Sequence, residues 1–291
     1  MIRKISGLVL LAGWTCVALP ALAEQTAILS QSGDGNISSI SQTGSEQAYA
    51  ESFIWGDRNT IEIQQDSVLA SDATVYQTGS GNIGRIRQTD GNNLSAYINP
   101  LITSGSGHDN LAEISQSGHD QFATIYQGST GGMLPEDTGG SGNIASVMQS
   151  GGFNTITIGQ PGSNNVARAT QFGDGASVAE TNTATIDQSG AGHLSQLSQF
   201  GNQLTANIIQ SGFNHIASNN QLGSMGLSWI AQTGCSNRAD VTQINSGAGP
   251  NYSAISQADM GNTATVLQNG GNLSSVISQS GNFNIANVRQ N

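Results

Sequence analysis

The 291-residue chain has a formal charge of −11, yet only 9% of it is charged and 5% aromatic, while 38 residues are Gly, 26 Gln and 27 Asn. A globular protein of ordinary composition carries about 25% charged residues and a larger aliphatic core, so this composition argues against a conventional two-domain enzyme and for a repetitive chain. Its acidity repels phosphate backbones, which disfavours nucleic acid as a partner.

In chain order, the first segment reads as an export signal. Arg3 and Lys4 form a positive start, Leu8–Leu19 is an apolar stretch too short to span a bilayer, and Ala21-Leu22-Ala23 is a small-residue cleavage site. Residues 1–23 are therefore expected to be a signal peptide and residues 24–291 the secreted chain, opening at Glu24, with no membrane insertion of the mature chain. Cys16 lies inside the apolar stretch, which leaves Cys235 as the one mature cysteine and excludes an intramolecular disulfide. Removing Arg3 and Lys4 leaves 6 Arg against 19 acids, a charge of −13.

An amide-rich, weakly charged chain can be disordered, and periodicity decides against that here. From Gln25 onward a unit N-x-[A/S/I]-x-[V/I/L]-x-Q-x-G-x-x recurs. Early pairs at a step of eleven are Gln31 and Gln42, Gln77 and Gln88, and Gln116 and Gln127. Three longer runs keep the same step: Gln149, Gln160, Gln171; then Gln188, Gln199, Gln210, Gln221, Gln232, Gln243; then Gln257, Gln268, Gln279, Gln290. Good copies include those that open at Asn182, Asn237, Asn262 and Asn284. Weaker copies end at Phe53 and Asn99, for 22 units in all.

Alternation at period two puts Asn237, Ala239, Val241 and Gln243 on one face of a strand and Arg238, Asp240 and Thr242 on the other. The glycine two places after most of these Gln, as at Gly190, Gly201, Gly212, Gly223, Gly234, Gly270 and Gly281, lets the chain turn with positive φ. Two strands and their arcs take 22 residues, after which the chain lies on itself about 4.8 Å higher. The expected fold is an all-β, parallel β-solenoid of two facing sheets with about eleven rungs. Stacked amides, such as Gln188, Gln210 and Gln232 on one sheet and Gln199, Gln221 and Gln243 on the other, would form hydrogen-bonded ladders. Longer connections are expected at residues 100–109, 128–142, 172–181 and 244–250, which hold Pro100, Pro135 and Pro250, without any domain boundary.

This repeat resembles the curlin repeat of bacterial curli subunits, S-x5-Q-x-G-x2-N-x-A-x3-Q. The stretches Gln232–Gln243, Gln257–Gln268 and Gln279–Gln290 carry the likeness, with Asp259 replacing a Gly. The resemblance implies a secreted structural subunit that polymerises outside the cell into amyloid fibres for cell adhesion and biofilm matrix. It also implies other curli subunits and a secretion channel as partners. Two features depart from it: the 22-residue repeats number about twice the usual five, and Gln25 opens the first repeat where a Gly-rich targeting segment is usual. A minor or nucleating subunit, a monomeric surface adhesin and an ice-binding solenoid are the alternatives.

No catalytic residue, cofactor or metal is expected. Glu62, Glu113, Asp187 and Asp240 are scattered singly, and neither H-x-x-x-H nor C-x-x-C nor a G-G-x-G-x-D calcium repeat occurs. Outward T-x-T pairs at Thr155/Thr157, Thr183/Thr185 and Thr263/Thr265 are expected on non-successive rungs, which disfavours an ordered threonine plane. Large apolar residues after the Asn slot, among them Ile37, Ile83, Leu94, Leu111, Phe122, Ile144, Val166, Leu194, Ile216, Leu227 and Ile285, tuck into arc corners or form an exposed stripe. His193 and His215 occupy the Asn slot one rung apart and are expected to stack on the core side, about 4.8 Å apart.

Overall fold

The computed structural model describes residues 25–99, 108–127, 140–174, 181–247 and 249–291. The signal-peptide expectation, Pro100, Pro135 and much of three of the long connections lie outside those residues.

Among the described residues the secondary structure is all strand, with no helix. The first seven strands are β1 (Gln25–Ser32), β2 (Ile37–Thr43), β3 (Ala48–Asp57), β4 (Thr60–Leu69), β5 (Asp72–Ser80), β6 (Ile83–Asn99) and β7 (Leu111–Gln127). Next come β8 (Ile144–Gly152), β9 (Asn154–Gln160), β10 (Gly162–Ser163), β11 (Val166–Asp174), β12 (Asn182–Ala191), β13 (Leu194–Asn202) and β14 (Thr205–Phe213). The last are β15 (Ile216–Ser224), β16 (Gly226–Cys235), β17 (Arg238–Asn245), β18 (Asn251–Gln257), β19 (Thr263–Asn269), β20 (Ser274–Gln279) and β21 (Ile285–Gln290).

All pairings are parallel, and they sort the arms into two columns. The first sheet stacks β1, β3, β5, the later arms of β6 and β7, then β9, β12, β14, β16, β18 and β20. The second stacks β2, β4, the earlier arms of β6 and β7, then β8, β11, β13, β15, β17, β19 and β21. Eleven arms in each column make eleven levels joined by ten turns, a parallel β-solenoid about 50 Å long at the usual strand spacing.

The period-two pattern sets what is inside. In β17 the side chains of Ala239, Val241 and Gln243 are buried while Arg238 is exposed. Small and branched inward positions of both sheets, such as Ala206, Ile208, Ala217 and Val241, merge into one continuous apolar core. Each fully buried Ile or Val contributes about 1.5–3 kcal/mol, so the stack of such positions is the main stabilising term.

Most arcs use backbone that glycine adopts most freely. Gly212 has φ 117°, and a Cβ there would collide with the carbonyl oxygen of Gly234 on the next level. The predicted arc glycines Gly190, Gly201, Gly212, Gly223, Gly234, Gly270 and Gly281 all have φ between 89° and 142°. A second left-handed residue, which the sequence does not announce, stands just before most Asn slots: Asn214 at φ 56°, Ser236 at 55°, Met225 at 56° and Phe283 at 58°.

The register corrects two repeat copies. Ile54, not Phe53, pairs with Gln31 and Gln77, while Asn99 pairs with Tyr126 and so falls one place before the Gln slot. The cause is the arcs after Gln42, Gln65 and Gln88, which run six steps to the next inward slot at Ala48, Ser71 and Leu94 rather than five. Where the longer arc of β6 meets the shorter arc of β7, the register slips between Thr89 and Gly91, with Asp90 at φ 50°. Two expected connections are also shorter than predicted, because residues 172–174 continue β11 and 244–245 continue β17.

Candidate functional site

The feature that distinguishes this molecule from an ordinary β-sandwich is its column of buried amides. On the second sheet, Gln42, Gln65, Gln88, Gln116, Gln149, Gln171, Gln199, Gln221, Gln243, Gln268 and Gln290 form an unbroken ladder. Each Nε2 donates to the Oε1 of the next level at 2.7–3.1 Å. On the first sheet the ladder runs through Gln127, Gln160, Gln188, Gln210, Gln232, Gln257 and Gln279 at 2.8–3.1 Å. Toward the N-terminal end it is interrupted, because Ile54 holds a Gln slot.

Each amide also works across the core. The second Nε2 hydrogen of Gln199 donates to the Thr183 carbonyl at 3.1 Å, Gln221 to Thr205 at 3.1 Å and Gln243 to Leu227 at 3.2 Å, all on the opposite sheet. A glutamine is thus an axial rung and a transverse strut, and its buried polar atoms are satisfied in both directions. Leaving one such atom unpaired would cost about 1–3 kcal/mol.

The Asn slot forms a second ladder of different chemistry. The Asn262 backbone N–H donates to Asn237 Oδ1 and that of Asn284 to Asn262 Oδ1, both at 2.9 Å. Below, Nδ2 of Asn237 and of Asn262 donates back to the carbonyl four residues earlier. His193 and His215 stand in this column, buried, with rings stacked at 5.1 Å and 2°. Each imitates Asn with both nitrogens: Nδ1 of His193 accepts from His215 N–H and Nδ1 of His215 accepts from Asn237 N–H, both at 3.2 Å, while Nε2 faces the carbonyl of Ser189 or Ser211 at 3.0 Å. Burial pushes both pKa values below the ordinary 6.5, and for His215 the neighbouring imidazole adds to the lowering. Among the described residues no group of three or more His, Cys, Asp or Glu could hold a metal ion.

The ladders are directional. Along the second sheet donors point toward the C-terminal level, so Gln42 Oε1 accepts from no described residue and Gln290 Nε2 keeps one hydrogen after donating to Ser274 O. In the Asn column the sense is opposite: among the described residues the Asn36 N–H and the Asn284 Oδ1 are the unused groups. Among the described residues the terminal strands β1, β2, β20 and β21 each pair with one neighbour only.

The outer faces hold features the sequence placed wrongly or missed. Thr155/Thr157 and Thr183/Thr185 do lie on successive levels, against expectation, because the long connection after Gln171 shifts the sequence spacing but not the stack. Thr263/Thr265 belongs to the other sheet. The apolar row also divides: Ile83, Leu111, Ile144, Val166, Leu194 and Ile216 stack on the second sheet, Phe122 and Leu227 lie on the first, and Leu94 is buried with Ala48 and Val68. On the first sheet Phe53, Tyr76, Tyr97 and Tyr126 form an aromatic row with centroids 5.8–6.1 Å apart. Beside it the Tyr49 and Tyr76 hydroxyls donate to Glu51 Oε2 at 3.0 and 2.9 Å, and burial followed by that bond pushes both phenols up to about 12. The aromatic row was hidden because it depends on the corrected register of Phe53.

Glu62 and Glu113 flank Arg85 at 3.7 and 2.6 Å and Asp240 meets Arg238 at 2.8 Å, exposed pairs of the kind that solubilise a face. Asp187 is raised by burial and stands between Gly159 and Ile209. No curated protein matches the chain. The stretch 140–173, which supplies Asn143, Gln149, Asn154, Gln160, Asn165 and Gln171 to these ladders, matches the family model of the curlin associated repeat, and the chain therefore carries that repeat.

Proposed function

We propose that this chain is a secreted structural subunit, not an enzyme, that polymerises head to tail into extracellular, curli-like fibres serving cell adhesion and biofilm matrix. The observation that carries the reading is the one-way sense of the ladders. A second copy placed on the C-terminal level offers Gln42 Oε1 to Gln290 Nε2 and the Asn36 N–H to Asn284 Oδ1, with the same six-residue spacing on both sides. Head-to-head contact would set acceptor against acceptor. The open backbone edges of β20 and β21 then continue into β1 and β2 of the next copy. The matched curlin repeat supports the same conclusion. Other curli subunits and a secretion channel are partners by resemblance.

The test is growth of the purified mature chain. Fibres with thioflavin fluorescence and a reflection near 4.8 Å along the axis are expected. Val288→Pro, in the terminal β21, should slow elongation far more than a proline placed in residues 128–142. A chain that stays monomeric for days, or equal elongation by the two variants, overturns the proposal.

A further inference from the structure

The outer face of the second sheet differs from the rest of the molecule in charge and in relief. Its outward strand positions hold five of the chain's seven arginines, Arg85, Arg87, Arg168, Arg238 and Arg289. Ahead of the arcs the same positions hold four acids, Glu62, Asp66, Glu113 and Asp240, so five minus four gives +1 there on a chain whose formal charge is −11. Two copies of so acidic a chain repel one another elsewhere, and this face is where they approach without that penalty.

The relief consists of two ridges. The first is the row Ile83, Leu111, Ile144, Val166, Leu194 and Ile216 over six successive levels, in which Leu194 is 40% exposed. The second, six residues along the same strands and so about 20 Å away, is Phe172, Phe200, Leu222 and Ile244. Phe172 and Phe200 stack at 5.1 Å and 13°. Between the ridges lies a polar trough, with Gln196 and Ser198 on the level that carries Leu194 and Phe200.

We propose that this face docks against the same face of a second copy, with the two solenoid axes parallel and a two-fold axis running along them. That symmetry reverses strand direction across the contact, so the aliphatic ridge of one copy lies on the aromatic ridge of the other at the same level: Leu194 meets Phe200, Val166 meets Phe172 and Ile216 meets Leu222. It leaves the axial direction of both copies unchanged, so paired filaments grow from the same end. The seven levels spanned by the ridges, at about 4.8 Å each and about 23 Å of strand, give a footprint of about 770 Å² per partner, the size of a standard interface, of which the three levels that set ridge on ridge supply about 330 Å².

Engineered thiols test this. In a Cys235→Ser background, Leu194→Cys and Phe200→Cys are prepared as separate chains, checked for unchanged strand content by circular dichroism, mixed and oxidised. The mixture is expected to give disulfide-linked dimers at least tenfold above either variant alone. Axial stacking cannot join these sites, which lie in mid-solenoid and are about 50 Å apart in successive copies of a fibre. Folded variants that give no dimer in the mixture overturn the proposal, and so does Leu194→Cys linking to itself, which means that aliphatic ridge meets aliphatic ridge. Fibres without the disulfide sink lateral pairing and leave head-to-tail growth standing; linked dimers that never elongate do the reverse.

Discussion

Acid should open this solenoid first at the two histidine levels. A proton added to His193 or His215 has one place to go, Nδ1, because Nε2 already faces a carbonyl. Nδ1 is the acceptor for the backbone N–H of the next level, so protonation sets N–H against N–H and places two cations 5.1 Å apart in a site closed to water. Both folded pKa values lie below the ordinary 6.5 of the unfolded chain. The unfolded state therefore binds more protons: stability is complete above about pH 6.5 and falls as pH drops through it, until the folded values are reached. At pH 5.5 the unfolded reference of 6.5 limits this loss to at most about 1.4 kcal/mol for each group, so the two together can raise the opening equilibrium by at most about a hundredfold. Hydrogen exchange of the His215 and Asn237 amides, corrected for intrinsic rates, reads this directly, with the Asn262 and Asn284 amides as references that hang on Asn Oδ1. The double variant His193→Asn, His215→Asn keeps an acceptor and a donor in each place and should abolish the extra opening. Equal protection of the two amide pairs between pH 7.5 and 5.5 in the wild type would refute the argument.

Gln221→Leu removes one ladder rung and its strut, strands Gln199 Nε2 and Gln243 Oε1, and should lower stability by about 2–4 kcal/mol in a denaturant titration. Gly212→Ala should cost more than about 2 kcal/mol, since its Cβ meets backbone, whereas Gly192→Ala, at φ 72° and facing the Asn214 side chain, should cost about 1 kcal/mol; the two melting temperatures separate these effects. Asn219→Val should be neutral or raise stability by about 1 kcal/mol, because Asn219 Oδ1 is buried without a partner between Leu197 and Val241, and its one bond, to Ser228, leaves Ser228 still paired with Ser253.

The strands were legible because one residue type does two jobs: a glutamine that must satisfy its neighbours above and below has to recur at every level, and the recurrence is visible as spacing. The arcs were legible only in part. Their first glycine is forced by both φ and a backbone contact, but the second left-handed residue touches nothing that demands a particular side chain, so Asn214, Ser236, Met225 and Phe283 share no signature. An arc longer by one residue leaves the strand composition untouched, which is why Phe53 and Asn99 read as Gln-slot residues and the aromatic row went unseen. The threonine pairs failed for the related reason that distance in sequence and distance along the stack part company after a long connection. The directionality of the ladders cannot be read from residue identity, since an amide can point either way until its neighbours fix it.

The ladder bonds join residues 22, 23, 25, 28 or 33 positions apart without a change in hydrogen-bond length that follows the separation. Extra chain at a turn is therefore invisible to the stack, and doubling a flexible loop adds only about 0.6 kcal/mol of closure entropy. The solenoid behaves as a mast with evenly spaced cleats, where foreign sequence can be tied on at a chosen height while the mast itself stays the same.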